Sequence, residues 1–401
     1  MFPNRAARYA MFGLIYFAEG AILSYFTALN SLYLLSFNLN MSQVGLIGMI
    51  ALIPFVIKIF FGMLSDRFNL LRLGYRKPYI LLGLLVQCVC LVIAPSINPG
   101  SQFGLFALLA FVLMSGQALY DTCTDGLALD TTSKEEEGTI QGIMVGGRAL
   151  GVVLISAALG SIVQNFSWSG AFWLLALLTL LPLPLVLWAR EPQRTAERRF
   201  EWRAFSAFTR WPVIALGLVG ALYSLVINAA NQIVNPFLQH EFGINFASAG
   251  LFTTIWGVGV AIGGLTGGRL VDTLGHRRSL VAAVGLSLVG VLLLAFTPGV
   301  AVAVALVVLF GLAFGYYETV YFAISMNLTD PRIAASMFAI LMAVANVGTG
   351  IGLGASGALV DTIGYRLTFA IVAALNLFVL PLIPGVFRKP ATAEAAPVVA
   401  K

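Results

Sequence analysis

The stretch Pro54-Phe-Val-Ile-Lys58-Ile-Phe-Phe-Gly62-Met-Leu-Ser-Asp66-Arg67 decides the fold of this chain. It places a lysine inside an otherwise apolar segment and ends in an acidic–basic turn, which Tyr75-Arg76-Lys77-Pro78 follows. A charged side chain at membrane depth costs about 2.5–3.5 kcal/mol on insertion scales, so such a residue is typically functional. A second acidic–basic turn, Gly268 to Arg278, indicates an internally duplicated chain.

The composition is typical of a membrane protein. Hydrophobic residues make up 59% of the 401 residues and charged residues 10%, whereas soluble domains carry about 25% charged residues. The net charge of +6 does not indicate nucleic-acid binding, because the basic residues cluster beside apolar segments. Cys88, Cys90 and Cys123 lie in apolar segments and are predicted to be small buried side chains. Arg5 and Arg8 precede an apolar run too long for a cleaved signal, which predicts a retained first helix.

Apolar runs long enough to cross a bilayer as helices recur along the whole chain. They lie near residues 10–36, 44–65, 79–95, 103–130, 139–164, 170–189, 212–238, 247–271, 279–297, 299–328, 333–360 and 366–387. We therefore predict an all-α integral membrane protein. Its predicted parts are an N-terminal six-helix bundle (1–189), a linker (190–211), a C-terminal six-helix bundle (212–388) and a disordered tail (389–401).

The positions of lysine and arginine predict the orientation in the membrane. Basic residues follow the even-numbered spans: Arg67, Arg72, Arg76, Lys77, Lys134, Arg190, Arg194, Arg198, Arg199, Arg203, Arg210, Arg277, Arg278, Arg332, Arg388 and Lys389. The segments after odd-numbered spans carry almost nothing basic, with Arg366 as the exception. We therefore expect a multi-pass protein of the inner or plasma membrane, with both termini and the linker in the cytoplasm.

The two halves align at a nearly constant offset. Residues 37–45 (Phe-Asn-Leu-Asn-Met-Ser-Gln-Val-Gly) match residues 242–250 (Phe-Gly-Ile-Asn-Phe-Ala-Ser-Ala-Gly), and Asp66 matches Asp272. With its repeated acidic–basic turn, the chain resembles the major facilitator superfamily along its full length. The resemblance implies twelve transmembrane helices in two pseudo-symmetric six-helix bundles, which rock about a solute near the midplane. The predicted cytoplasmic gate residues are Asp66, Arg67, Arg76, Asp272 and Arg277.

Six ionisable residues lie inside the predicted spans: Glu19, Lys58, Asp121, Asp125, Arg148 and Glu318. A rise of about 1.5 Å per residue places them in one layer, roughly 10–15 Å from the cytoplasmic helix ends. Two bases cannot neutralise four acids. We therefore predict that the four acids couple transport to protons, or that a cationic solute or ion completes the set.

Lys58 and Arg148 are candidate ligands for an anionic solute, since a guanidinium suits anions. The alternative for each is a structural salt bridge to the fourth span, which carries Asp121 and Asp125.

Two further stripes are candidate solute ligands. Asn228, Asn231, Gln232 and Asn235 recur at helical spacing on the seventh span. Amides at membrane depth are costly unless water or solute meets them. Tyr317 and Tyr321 lie one turn apart on the tenth span and could stack on a planar ring. The alternative is a packing stripe or an interfacial belt.

Two local motifs narrow the family. Pro54-x-x-x-Lys58-x-x-x-Gly62-x-Leu64-Ser-Asp66, followed by Gly74-Tyr-Arg-Lys-Pro-Tyr79, resembles folate–biopterin transporters. Asp121-Thr-Cys-Thr-Asp125-Gly-Leu-Ala-Leu, with Gln141-Gly142 after it, resembles the paired-aspartate motif of acetyl-coenzyme A transporters and muropeptide permeases. The resemblance implies that Lys58, Asp121 and Asp125 are functional and that the substrates are bulky and mostly anionic.

These features predict a secondary transporter rather than an enzyme. We expect it to move a polar organic anion by alternating access, driven by a proton gradient, as a monomer in the lipid bilayer without a nucleic-acid partner. No phosphate-binding Gly-x-x-x-x-Gly-Lys-[Ser/Thr] motif occurs, and His240 and His276 lack metal-ligand spacing. Open alternatives are a drug or metabolite exporter that uses Glu19 and Glu318, a lipid exporter, and a non-transporting membrane assembly factor.

Overall fold

The computed structural model describes residues 5–70, 74–131, 137–189, 191, 209–328 and 334–388, except for the side chains of 66, 129, 137–139, 141–142, 334–336 and 338–339. Every regular element within these ranges is helical. The predicted linker and the predicted tail, at 190–211 and 389–401, lie almost wholly outside the described residues.

The helices fall into two sets along the chain. The first set is α1 (Arg5–Ala28), α2 (Asn30–Ser36), α3 (Met41–Val56), α4 (Lys58–Arg67), α5 (Lys77–Ile93), α6 (Phe103–Thr131), α7 (Glu137–Asn165), α8 (Trp168–Leu180) and α9 (Leu183–Trp188). The second set is α10 (Trp211–Phe242), α11 (Phe246–Leu274), α12 (His276–Ala295), α13 (Val300–Leu328), α14 (Ala334–Leu375) and α15 (Ile383–Val386). Two 3-10 helices, Ala94–Ser96 and Asn376–Leu382, extend α5 and join α14 to α15.

Eleven helical segments of the described chain are long and apolar enough to cross a membrane. The last one, Ile340–Val386, is 47 residues long, about twice what one crossing needs. Gly364 divides it, because its φ of 79° and ψ of 172° lie outside the helical region. The described chain therefore makes twelve crossings, and the predicted all-helical membrane fold is confirmed.

The run 44–65 predicted one continuous helix for the second span, but the structure divides the span shortly after Pro54. Proline cannot donate a backbone hydrogen bond, and its ring crowds the preceding turn. Pro54 thus weakens the turn before it; α3 continues to Val56, and α4 begins at Lys58. The Phe55 carbonyl accepts a hydrogen bond from Asn346 Nδ2 of α14 at 3.3 Å. The break places Lys58 in the first turn of a new helix.

Helix packing repeats between the halves. The first span packs on the fifth (α1 on α7), and the seventh packs on the eleventh (α10 on α14). Between the bundles, the second span meets the eleventh (α3 on α14), and the fifth meets the eighth (α7 on α11). This exchange of partners is what a pseudo-two-fold axis along the membrane normal produces.

The bundles are joined near one end of the molecule. We call the end that carries Arg67, Arg76 and Arg277 the basic end, and the other the opposite end. Toward the opposite end, a Cβ added at Gly250 would lie 2.3 Å from the Ser156 carbonyl oxygen, so α7 and α11 touch through their backbones.

A carboxylate also ties the second span to the eleventh at the opposite end. Asp361 accepts hydrogen bonds from the backbone N–H groups of Met41 at 2.9 Å and Ser42 at 2.6 Å, and from the Ser42 hydroxyl at 2.5 Å. An anion at a helix N-terminus is favoured by the helix dipole and by the free N–H groups there. Asp361 therefore stabilises contact between the bundles.

The interior is accessible from the basic end. The Lys58 and Arg148 side chains lie at membrane depth, yet they are 26% and 37% exposed. The described hydrogen bonds between the bundles include Asn235 to the Ala28 carbonyl and Thr254 to the Val153 carbonyl, both toward the opposite end. In the described part of the chain, the bundles therefore touch toward the opposite end, while the charged side chains Lys58 and Arg148 keep exposed surface.

Replacing Asp361 by alanine should favour opening at the opposite end. Three hydrogen bonds to an exposed carboxylate are worth about 1–2 kcal/mol in total after solvent screening, which corresponds to roughly a tenfold change in populations. Electron–electron distance measurements between spin labels at Ser101 and Phe296 should show a new, longer population. Thr362→Ala is the control, because the Thr362 hydroxyl bonds only to its own helix. Identical distance distributions for Asp361→Ala and wild type would contradict this role.

Candidate functional site

The first pair of the predicted charged layer joins the second span to the fourth. Lys58 Nζ lies 3.4 Å from Asp121 Oδ2, and the Asp121 side chain is only 9% exposed. The structure thus contains the interior salt bridge that was one of the two readings of Lys58. Since Lys58 keeps exposed surface, the ammonium group is also reachable from the open side.

Asp125 has a partner that the sequence analysis missed. It lies one turn beyond Asp121 on α6, and its Oδ1 accepts a hydrogen bond from the Tyr16 hydroxyl of α1. A phenol stabilises a carboxylate by hydrogen bonding without neutralising its charge. The spacing of Tyr16 and Glu19, three residues apart on one helix, was the available signal, because such residues share a face.

Arg148 pairs with the first span. The structural alternative of the sequence analysis had predicted a salt bridge to the fourth span instead. Arg148 Nη1 lies 3.7 Å from Glu19 Oε1. The close approach requires Gly20, because a Cβ there would lie 2.1 Å from the Arg148 carbonyl oxygen. The other carboxylate oxygen of Glu19, Oε2, is buried and has no hydrogen-bond partner.

Glu318 is the charged group that the second bundle contributes. It is half-buried on α13 and forms no ion pair within 4.0 Å among the described residues. Its carboxylate and the Arg148 guanidinium, which belong to different bundles, are near enough to interact electrostatically.

Three of the four predicted amides on α10 are satisfied by protein groups. Asn228 Nδ2 donates to the Ser224 carbonyl at 2.8 Å and to Thr349 Oγ1 at 3.2 Å. Gln232 Nε2 donates to the Leu353 carbonyl at 2.8 Å. Asn235 Nδ2 donates to the Ala28 carbonyl at 2.9 Å. Helix contacts therefore meet much of the polar demand that the sequence analysis assigned to water or solute.

The fourth amide differs from these. Asn231 is half-buried and lines a small cavity, and it forms no hydrogen bond with the described part of the chain.

Tyr317 and Tyr321 lie inside the C-terminal bundle rather than on a cavity wall, which corrects the predicted contact with solute for this conformation. Both side chains are fully buried. The Tyr223 ring covers them, with centroids 4.9 Å from each. The Tyr321 hydroxyl donates to the Leu341 carbonyl at 3.3 Å. The two rings are buried because they pack against Tyr223 of α10. Their positions match the alternative prediction of a packing stripe.

One predicted gate residue holds several elements together at the basic end. Arg76 is buried; its Nη1 donates to Ser65 Oγ at 2.5 Å, and its Nε lies 3.5 Å from Asp130 Oδ2. Glu191, which the sequence analysis overlooked, accepts hydrogen bonds from the backbone N–H groups of Tyr75 and Arg76, both at 2.7 Å. The start of the third span is thus tied to the second, the fourth and the chain after the sixth.

The other predicted gate residues show less contact. The Arg67 guanidinium lies 5.8 Å from the centre of the Phe68 ring. Asp272 and Arg277 are exposed, so the duplicated turn does not repeat the buried arrangement around Arg76. The Asp66 side chain lies outside the described residues.

The described residues contain no group of three histidine, cysteine or acidic side chains that could hold a metal ion. Cys88, Cys90 and Cys123, which all lie in the described part of the chain, form no disulfide bond. The arrangement is instead a set of paired and unpaired charges at membrane depth.

The comparisons agree with this geometry. The model of the Major Facilitator Superfamily matches residues 11–230 and 216–400, so the chain belongs to that superfamily of membrane transporters. It is 26% identical over 354 residues to the anhydromuropeptide permease of Escherichia coli (strain K12), covering 85% of this chain and 72% of the relative. It is 26% identical over 361 residues to the synaptic vesicular amine transporter of Homo sapiens, covering 85% and 66%.

A solved structure has the same fold. The bacterial homologue of the human lysosomal transporter Spinster, in an inward-facing and unoccupied conformation, superposes with a TM-score of 0.75 at 18% identity. The match covers 95% of this chain and 96% of that one.

A double-mutant cycle should measure the coupling between Lys58 and Asp121. Lys58→Met and Asp121→Asn should each lower stability by about 1–3 kcal/mol, less than for a fully buried pair, because Lys58 is partly exposed. The double variant should lose less than the sum of the two. Thermal unfolding in detergent gives the values, with exposed Arg278→Met as the control. Strict additivity would show that the two charges do not interact.

Substituting Gly20 should disturb the Glu19–Arg148 pair. Gly20→Ala forces α1 and α7 apart, and overpacking of this kind costs about 1–3 kcal/mol. Gly146→Ala on α7 is the matched control, because its Cβ would have no atom within 4 Å, so the variant should be neutral or stabilising. Thermal unfolding of the two variants separates the outcomes. Equal stability of both would mean that α1 and α7 are not in close contact.

Proposed function

We propose that this transporter carries a polar organic anion across the inner or plasma membrane by alternating access, with proton coupling and with both termini in the cytoplasm. The observation that carries the proposal is the cluster of Glu19, Lys58, Asp121, Asp125, Arg148 and Glu318 at membrane depth, accessible from the basic end. Charged residues inside membrane spans are costly and typically mark a substrate or ion pathway.

The role proposed for the two bases rests on their exposure. Lys58 and Arg148 each have an acidic neighbour at 3.4 Å and 3.7 Å, and both retain surface facing the open side. An Nη1–Oε1 distance of 3.7 Å is longer than a charge-assisted hydrogen bond, so Arg148 has donors available for a solute. A carboxylate or phosphate group of a solute would complete its coordination.

Proton coupling is proposed from the excess of acids. The cluster has four carboxyl groups and two bases, and Asp125 and Glu318 have no basic partner within 4.0 Å among the described residues. Two like charges in a region of low dielectric repel strongly unless protons or cations neutralise them. Solute binding at Lys58 or Arg148 would weaken their pairing with Asp121 or Glu19, which favours proton uptake by these acids.

The proposed cycle uses the contacts between the bundles. In the described conformation the solute enters from the basic end and meets the charged layer. Loss of the Asp361 contacts and closure at the basic end would then expose the same layer to the other side. Arg76 belongs to the N-terminal bundle, where its contacts keep the ends of three spans together during such a movement.

A second candidate, an amine exporter, is favoured by Glu318. Its carboxylate forms no ion pair within 4.0 Å among the described residues and keeps part of its surface exposed, so it could bind an ammonium group. One relative is named for an amine and another for an anhydromuropeptide, so the names of the relatives support both solute classes.

Proton flux in liposomes that contain the purified protein and an enclosed fluorescent pH reporter tests both candidates. The anionic probes are gluconate and N-acetylneuraminate, and the amine probe is tyramine. We expect proton movement that depends on an anionic probe and that falls at least tenfold in Lys58→Ala and Asp121→Asn. Arg278→Ala, which removes an exposed positive charge, should keep wild-type flux.

The other outcomes separate the parts of the proposal. Anion uptake without proton movement would contradict proton coupling and leave the anion pathway intact. Tyramine flux that Glu318→Gln abolishes, without any anion flux, would replace the anion proposal by the amine candidate.

A further inference from the structure

A small cavity lies between the bundles, apart from the charged layer. The residues that line it are Thr27, Asn231, Val234, Asn235, Phe252, Thr253, Trp256 and Val307, from the first, seventh, eighth and tenth spans. It is about the size of one water molecule, at ≈ 10 Å³. Its walls combine apolar side chains with amide, hydroxyl and indole groups.

Two buried polar atoms on these walls have no partner. Trp256 and Asn235 are only 8% and 4% exposed, and Trp256 Nε1 and Asn235 Oδ1 form no hydrogen bond. An unpaired buried polar group costs about 1–3 kcal/mol, so two such groups beside one cavity indicate a partner there, either ordered water or a ligand.

The chemistry of the missing partner follows from these two atoms. The orientation of the Asn235 amide is fixed, because its other end donates to the Ala28 carbonyl, which can only accept. Asn235 therefore offers an acceptor, while the Trp256 indole can only donate. A hydroxyl group matches both, since one oxygen atom accepts from the indole and donates to the amide oxygen. A carboxylate lacks the donor, and an ammonium group lacks the acceptor.

The cavity lies farther from the basic end than the charged layer does. Gly20 contacts the Arg148 backbone, and Thr27 follows seven residues later on α1, which corresponds to about 10 Å of helix. On α7, Val153 lies five residues beyond Arg148, or about 8 Å, and its carbonyl accepts from Thr254 of α11. Both helices thus place the cavity roughly 8–10 Å beyond Arg148, toward the opposite end.

We propose that this cavity is a subsite for a neutral hydroxyl group of the transported solute. It rests on the proposed function, because the solute's anionic group would bind at Lys58 and Arg148. The two sites together define a solute class: an organic anion with a hydroxyl group roughly 8–10 Å from its charge, the span that helix rise gives between the two sites. Asn231, on the same wall, would contact atoms next to that hydroxyl.

Equilibrium binding to the full-length protein in nanodiscs tests the subsite. The probes are matched pairs: N-acetylneuraminate and gluconate, each against the analogue in which hydrogen replaces the terminal hydroxyl. Wild type should bind the hydroxyl-bearing member of at least one pair about tenfold more tightly, since its loss leaves buried groups unpaired.

Trp256→Phe should reduce that preference to within about twofold, because the ring remains and only the N–H donor is lost. Trp173→Phe, at a position 57% exposed on α8, is the control and should keep the preference. Equal binding of both members by wild type, or a preference that survives in Trp256→Phe, overturns the subsite and leaves anion transport standing.

If wild type binds neither member of any pair, the anion proposal fails and a second measurement decides on the cavity. In protein labelled with ¹⁵N-tryptophan, the Trp256 indole resonance is identified by its loss in Trp256→Phe, and glycerol is titrated against it. A saturable shift supports a hydroxyl site that is independent of charge. No shift, or a persistent exchange peak with water that glycerol does not displace, overturns the inference.

Discussion

The structure depends on one constraint: a charged side chain at membrane depth is costly unless an opposite charge, a hydrogen-bond donor or a proton stabilises it. An isolated charge in a medium of low dielectric is costly, whereas a paired one is tolerated when the geometry is close. The break after Pro54 places Lys58 beside Asp121, and the missing side chain at Gly20 lets α1 approach α7 so that Glu19 meets Arg148. The helix break near Lys58 and the glycine at position 20 thus help to determine which charged residues of the layer pair with each other.

The duplicated halves have diverged around this constraint. The position that matches Lys58 in the second half, counted from Asp66 and Asp272, is Gly264, where an added Cβ would lie 3.4 Å from Thr319 Oγ1. The position that carries the charged Lys58 side chain in the first half is thus occupied in the second half by a glycine that lies close to a neighbouring helix. The second half contributes Glu318 to the layer, and its Asn228 amide and Tyr223 ring make contacts within its own bundle.

The fold and the depth of the charged layer could be predicted from the sequence, because span length, hydropathy and helical rise are local properties. The ion-pair and packing partners that lie on other helices could not be predicted from the sequence. Arg148 and both candidate acids on α6 lie at similar depth, so depth alone does not select Glu19. The burial of Tyr317 and Tyr321 depends on Tyr223, which lies on another helix. Asp361 and Trp256 lie in spans whose sequences look like ordinary apolar helices. Their roles become visible only from the groups that surround them in the folded chain.

The position of Arg148 gives the charged layer an electromechanical property. Glu19 and Arg148 lie on helices of one bundle that touch at Gly20, so a shift between the bundles should leave their separation almost unchanged. Glu318 belongs to the other bundle, so the same shift should change its distance to Arg148. Since Coulomb energy varies inversely with separation, bundle displacement performs electrical work on this pair. The Arg148 guanidinium thus belongs both to a pair of nearly constant separation, with Glu19, and to a pair whose separation depends on the positions of the bundles, with Glu318.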